Sequence, residues 1–277
     1  MTSFQKIIKY CATALAIFLI VTIIGGGVTA ILTVTGAKSL KNKYEENKAQ
    51  LSQFEEYIPA FQTPEKLYIE TGAANIVIEK GEVFALKYAG ADFRFKEDEG
   101  KLKIENNEGS LFSFGEVAGQ LVITVPEKMS FKKVEINAGA GDIQIENLVS
   151  DSLDLDLGAG QVNVNYIKIN KNADIDGGAG EITVSDGYMA NADISIGVGK
   201  AEIAAYLSGN STVEAGVGDT KLVLKGDKTD YTVITDAGIG GFSVDGDHVS
   251  DGEVIGDGEN TVEIEGGIGV VRVQFEE

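Results

Sequence analysis

The chain has 277 residues, 43% of them hydrophobic, with 35 glycines, three prolines and a single cysteine. Its formal charge of −20, from 23 basic and 43 acidic residues, repels phosphate backbones and anionic headgroups and argues against a nucleic-acid partner. Cys11, alone inside an apolar run, excludes a disulfide framework and soluble thiol chemistry.

From Ile7 to Val34 the only charged residue is Lys9, and from Tyr10 onward the run exceeds the roughly 20 residues that span a bilayer as a helix. A cleavable signal has an apolar region of about 7 to 15 residues, so residues 1–37 are expected to form one uncleaved transmembrane helix, with Thr35-Gly36-Ala37 only a poor cleavage site. Lys6 and Lys9 precede the span, and Lys38, Lys41, Lys43 and Lys48 follow it. That bias weakly favours a cytoplasmic C-terminal domain, yet large domains translocate against modest biases, so it leaves the orientation open.

Residues 38–64 are expected to form a helical juxtamembrane stalk. Leu40, Tyr44, Asn47, Leu51, Phe54 and Ile58 are spaced 4, 3, 4, 3 and 4 apart, a heptad seam with one polar member. Such a seam fits either a parallel homodimer through residues 40–58 or a single helix laid on the domain. Pro59 and Pro64 end the pattern.

Residues 65–130 are expected to hold a cap and the first, irregular coils. Ile69 to Ile78 is a degenerate repeat unit with Ala74 in place of a second glycine, and Val83 to Tyr88, Lys101 to Glu105 and Gln120 to Val125 alternate as strands.

In residues 131–277 a phrase recurs: Gly139-Ala140-Gly141, Gly158-Ala159-Gly160, Gly178-Ala179-Gly180, Gly197-Val198-Gly199, Gly216-Val217-Gly218, Gly238-Ile239-Gly240 and Gly267-Ile268-Gly269. Subtracting successive first-glycine positions gives steps of 19, 20, 19, 19, 22 and 29, so one structural unit is repeated. Apolar and polar residues alternate on both sides of each phrase, which means strands. Aligned, Ile143, Val162, Ile182, Ala201, Thr220, Phe242 and Val271 share one column, and Ile145, Val164, Val184, Ile203, Leu222, Val244 and Val273 another. A third, before the glycines, holds Ile136, Leu155, Ile175, Ile194, Val213, Thr235 and Ile264.

These columns predict an all-β fold, a parallel β-helix or β-solenoid with about 20 residues per coil. The glycines mark a corner where a Cβ would meet the adjacent coil. The competing architecture is an antiparallel sandwich with hairpins at the glycines, which would tolerate less uniform steps.

Outward positions on the strand before each phrase are acidic. One column reads Glu135, Asp154, Asp174, Asp193, Thr212, Ile234, Glu263, and the next Asn137, Asp156, Asp176, Ser195, Glu214, Asp236, Glu265. Stacked carboxylates repel unless cations or water screen them. Asp154, Asp156, Asp174, Asp176 and Asp193 are therefore candidates for binding a divalent cation or a basic partner, beside the plainer reading of a solvated acidic face.

The oxygen-rich segment from Asp245 to Glu253, continued by Asp257-Gly258-Glu259, matches neither an EF-hand nor a calcium β-roll spacing and reads as a turn-rich surface loop. His248 is the only histidine, which leaves nucleophile–base pairs and zinc sites without ligands. The best enzymatic reading is glycoside hydrolysis by Asp154, Asp156, Asp174 and Asp176. No tryptophan is present for sugar stacking, and the only arginines are Arg94 and Arg272.

Leu121-Val122-Ile123-Thr124-Val125-Pro126, the run into Asn137-Ala138-Gly139-Ala140-Gly141-Asp142-Ile143, and the G-x-G units that follow resemble the bacterial putative-adhesin β-strand-repeat family, including its LiaG-like members. The resemblance covers about residues 65–277. It implies a membrane-tethered parallel β-helix outside the cell, in a group named for adhesion and sometimes associated with envelope-stress systems, with no catalytic residues or cofactor to carry over. The expected function is a non-catalytic binding or adhesion surface at the cell envelope. The alternatives are a regulatory membrane protein sensing envelope damage and a carbohydrate-active enzyme. The expected partners are the membrane, through the N-terminal helix, and a cell-wall, surface or membrane-protein ligand.

Overall fold

The computed structural model describes residues 54–60, 63–90, 92–106 and 119–276. The apolar run and most of the expected stalk lie outside them. Among the described residues no helix is long and apolar enough to cross a membrane.

Seventeen strands among the described residues are linked by pairing into one continuous sheet, the long ones alternating inward aliphatic and outward polar residues on either side of the glycine corner. In chain order they are β1 (Glu55–Tyr57), β2 (Lys66–Gly81), β3 (Ala85–Ala89), β4 (Arg94–Asp98), β5 (Lys101–Asn106), β6 (Gly119–Pro126), β7 (Phe131–Ile145), β8 (Leu148–Val164), β9 (Ile167–Val184), β10 (Gly187–Ala190), β11 (Ala192–Ser208), β12 (Asn210–Lys225), β13 (Tyr231–Asp236), β14 (Ile239–Val244), β15 (Asp247–His248), β16 (Val254–Ile255) and β17 (Asn260–Glu276). A 3-10 turn, Lys228–Asp230, is capped by Asp227, whose side chain accepts from the Thr229 amide.

The long strands run through the glycine phrases without interruption; β8, for example, contains Gly158-Ala159-Gly160. They pair in parallel, with Gly141 opposite Gly160, Gly160 opposite Gly180, Gly180 opposite Gly199 and Gly199 opposite Gly218. This is a coil-on-coil stack; a sandwich with hairpins at the glycines is not formed. The three aliphatic columns point inward, and Ile136, Ile143, Ile194, Ile203, Val213 and Leu222 are fully buried. Each such side chain contributes about 1.5–3 kcal/mol.

The corner explains the glycines. The second glycine of every phrase has φ between 133° and 151°, a region that strains any L side chain. A Cβ there would overlap the carbonyl oxygen of the equivalent residue one coil away. Ala74, which faces Gly119 at the start of β6, lacks the positive φ of these glycines and so accommodates its Cβ.

Stack order departs from chain order at both ends. The last coil, β17, does not follow β14: it lies between β12, where Gly218 faces Gly269, and the coil β13–β14, where Gly240 faces Gly269. In the same way β2 lies between β7 and the coil β5–β6. In space the columns therefore end with the β17 residue inside and the β13–β14 residue outside, and the long final step from Gly238 to Gly267 marks this crossover. The outermost coils are covered by antiparallel strands. β4 pairs with β5, β3 with β6 and β1 with β3 at one end, and β16 with β13 and β15 with β14 at the other. The segment expected as a turn-rich loop thus supplies cap strand β15, and β16 lies between its two parts.

The stalk reading meets a correction at its end. Phe54 and Ile58 flank β1, an extended segment held by β3, so the helical pattern does not reach Ile58. Pairing and the stacking of Tyr57 on Phe95, with ring centroids 4.2 Å apart, outweigh the local heptad spacing.

Candidate functional site

Alternation points every second residue of the strands before the glycine corner outward, and parallel register aligns them. Glu135, Asp154, Asp174 and Asp193 stand opposite one another on β7, β8, β9 and β11. Asn137, Asp156, Asp176 and Ser195 form the neighbouring row. All five sequence-selected aspartates are brought together in this ladder, at the ~4.8 Å spacing of adjacent strands. Towards the distal end the rows continue through Thr212, Glu263 and Ile234, and through Glu214, Glu265 and Asp236.

The cation nearest these aspartates is Lys133, whose Nζ lies 2.7 Å from Glu135 and 3.9 Å from Asp154; Asp156, Asp174, Asp176 and Asp193 have no ion pair among the described residues. The carboxyl of Asp174, though exposed, is held above its ordinary value, first by partial loss of solvation and then by the charges of Asp154, Asp193 and Asp156. Asp176, likewise exposed, is raised by partial desolvation and by the charges of Asp156 and Asp174. The site is a row and not a cage: among the described residues no three His, Cys, Asp or Glu side chains group to hold a metal ion. His248 lies apart from the ladder, on cap strand β15 opposite Ser243.

The strand after the corner carries a different surface. There Lys200 approaches Glu181 at 3.3 Å and Lys221 approaches Glu202 at 2.9 Å, so charges alternate along the stack and pair. The central aspartates of the ladder stand without such cations.

Two aromatic groups were not anticipated from the sequence. Tyr188 and Tyr206, on neighbouring strands, stack with centroids 5.9 Å apart, and the row continues through Tyr231 to Phe275. Their hydroxyls are used internally: Tyr188 accepts from Ser208 Oγ at 2.7 Å, and Tyr231 donates to the Lys225 carbonyl at 2.6 Å. The second group, Tyr57, Tyr88, Phe93 and Phe95, closes the N-terminal cap. Tyr57 donates to Glu97 at 2.6 Å, which pushes its hydroxyl up to about 12. The only sequence signal was that Tyr188 and Tyr206 stand close to one coil apart in the chain.

Residues 64–247 match the model of the Toastrack DUF4097 family, and the chain belongs to that family. The matched region stops before β16 and β17, although β17 is an inner coil of the stack. Solved structures similar to the chain include a putative cell adhesion protein from Clostridium sporogenes, 14% identical, with 81% of this chain and 98% of that one covered at a TM-score of 0.36. A putative adhesin from Parabacteroides merdae is 13% identical, with 81% and 97% covered at 0.33. A putative lipid binding protein from Parabacteroides distasonis is 13% identical, with 79% and 96% covered at 0.35. No curated protein is significantly similar to the chain.

Proposed function

We propose that the coils are a non-catalytic binding surface of the cell envelope, displayed outside the cell and held at the membrane by the N-terminal segment. The observation that carries this reading is the ladder: one chemical group repeated in register over successive coils presents an extended, periodic face, suited to an elongated or repetitive partner. Charge distribution supports a standing orientation. Residues 54–135 carry 10 basic and 15 acidic residues, whereas residues 136–277 carry 7 and 26. The end nearer the N-terminal segment is thus the less acidic, at −5 against −19, and the distal coils would be repelled more strongly by an anionic membrane surface.

A second reading, a regulator acting through its anchor, draws on the N-terminal cap. β1 follows the anchor and stalk segments in the chain and is tied into the stack by β3 and by the Tyr57–Phe95 and Tyr57–Glu97 contacts. A load on the coils therefore has a paired route to the preceding segment. A regulator needs the intact span for activity, whereas a binding surface still retains envelope material when the span is replaced by another anchor.

Protease shaving of intact cells carrying a C-terminal tag tests the placement. Loss of the tag with a cytoplasmic control spared is the expected result. Protection until lysis, with denatured protein cleavable, overturns the surface reading.

A further inference from the structure

The crest of the glycine corner changes character along the stack. In spatial order the residue between the two glycines is Ala140, Ala159, Ala179, Val198, Val217, Ile268 and Ile239. The side chain thus grows from a methyl to a branched butyl group towards the distal end, where Ile268 is 39% and Ile239 64% exposed. Glycines on both sides of each crest residue leave no neighbouring side chain to cover it. Behind the last two crest residues a small hollow is lined by Ile239, Ile268, Ala215 and Ala237 together with the core residues Phe242 and Val271.

The flanks differ. On one side Val270 and Gly241 occupy positions that earlier coils fill with Asp142, Gln161, Glu181, Lys200 and Asp219. On the other side Glu214, Glu265 and Asp236 stand in register. Glu265, Asp236 and Asp219 form no ion pair among the described residues. Of the nearby cations, Lys200 and Lys221 already contact Glu202, at 3.8 and 2.9 Å, and Arg272 lies two positions beyond Val270.

We infer that this distal crest, Val217–Ile268–Ile239 with its acidic flank, docks a basic polypeptide segment that carries large apolar side chains. The aliphatic crest receives the apolar side chains, and Glu265 and Asp236 on its acidic flank, with Asp219 across the crest, receive lysine or arginine. Charge selects this occupant. A second copy would bring the same acidic coils, and an anionic lipid surface the same sign of charge. The inference rests on the reading of the coils as a binding surface and adds to it one face and one partner class.

The test uses the full chain in nanodiscs of zwitterionic lipid, with empty discs as reference, and the fluorescence anisotropy of a labelled amphipathic lysine–leucine peptide. The expected result is saturable binding that weakens about tenfold in the Ile239→Ser, Ile268→Ser protein and several-fold, with a shallower salt dependence, in Asp236→Asn, Glu265→Gln. Oligolysine of equal charge and a glutamate-for-lysine analogue are expected to bind far more weakly. Equal binding by either peptide, or unchanged affinity in the serine variant, overturns the inference. If serine unfolds the end coil, Ile239→Lys, at the more exposed position, gives the same readout by repelling the basic peptide. Retention of the full chain on envelope material is measured in parallel. Retention by the parent without peptide binding overturns the crest alone; absence of retention overturns the binding-surface reading itself.

Discussion

The middle coils, β7 to β12, and the end coils use the same alternation and the same glycine corner, but they relate differently to the chain. In the middle each coil packs on the next one in sequence. At the ends the chain steps outward, builds the outermost coil and returns to fill the gap, so β2 and β17 are paired along both edges. Repeat stacks ordinarily fray from their terminal units. Here the first and last long strands are internal, and the exposed edges fall to short antiparallel strands, which limit edge-to-edge pairing with other chains.

Truncation after Glu259 is the strongest way to break this comparison. It removes Val262, Ile264, Val271 and Val273, all buried, together worth about 6–12 kcal/mol at ordinary burial values. That is comparable to the whole stability of a typical domain. If β17 were a terminal coil, the shortened stack would keep its other coils; as an inner coil, its loss separates β13 and β14 from the stack and leaves them only the two-residue cap strands β16 and β15. Hydrogen exchange should then show β13 and β14 unprotected and β12 weakened, whereas in the intact chain β17 should exchange as slowly as β8. Fast exchange of β17 in the intact protein would contradict its inner position.

Gly180→Ala comes next. Its Cβ would overlap the Gly160 carbonyl at φ +151°, so a loss of several kcal/mol is expected. Gly246 in the distal cap also has a positive φ, +87°, but open space around it. Gly246→Ala should cost only about 1 kcal/mol. Urea denaturation of the two variants separates steric overlap in the stack from backbone strain alone.

The middle coils were legible in the sequence because a steric rule acts at fixed spacing: one carbonyl crossing one Cα in every coil admits only glycine, and alternation sets the inward columns. The ladder followed from the same alignment, down to the five aspartates. The ends were not legible, since Gly218 pairs with Gly269 across the whole of the intervening coil β13–β14 and its cap strands, which leaves no local pattern beyond the long last step. Phe54 and Ile58 misled for a related reason: a heptad spacing is local, whereas the strand between them is fixed by β3. The membrane anchor was read from residues that lie outside the described ones.

A smaller effect tests the N-terminal end. Thr71 is 4% exposed, and its hydroxyl has no hydrogen-bond partner among the described residues. It stands between Asn106, also buried, on β5 and Ala138 on β7, in a column that takes the aliphatic Leu157 and Ile196 further along the stack. Thr71→Val should raise stability by about 1 kcal/mol, because an unpaired buried hydroxyl is removed at nearly constant volume. A fall in the urea midpoint would show that the hydroxyl is satisfied in solution.

The smallest expected effect belongs to the ladder and depends on pH. Asp174 and Asp176 have raised values in the folded state, so folding favours their protonated forms. Their contribution to stability is fully present below roughly pH 4, the ordinary unfolded value, and is lost as pH rises through the raised folded value. Glu105 has the opposite sign: hydrogen bonds from Lys103 and Lys96 hold it down to about 2, and its contribution is lost as pH falls towards that value. At neutral pH, Asp174→Asn or Asp176→Asn removes repulsion at an exposed position and should raise the melting temperature by roughly 1–2 °C. That gain should shrink as the pH is lowered towards 4. A fall in melting temperature on substitution would mean that the rungs are bridged rather than repelling. If calcium then stabilised the parent but not the variants, the bridge would be a divalent cation, and the ladder would be a site instead of a charged face.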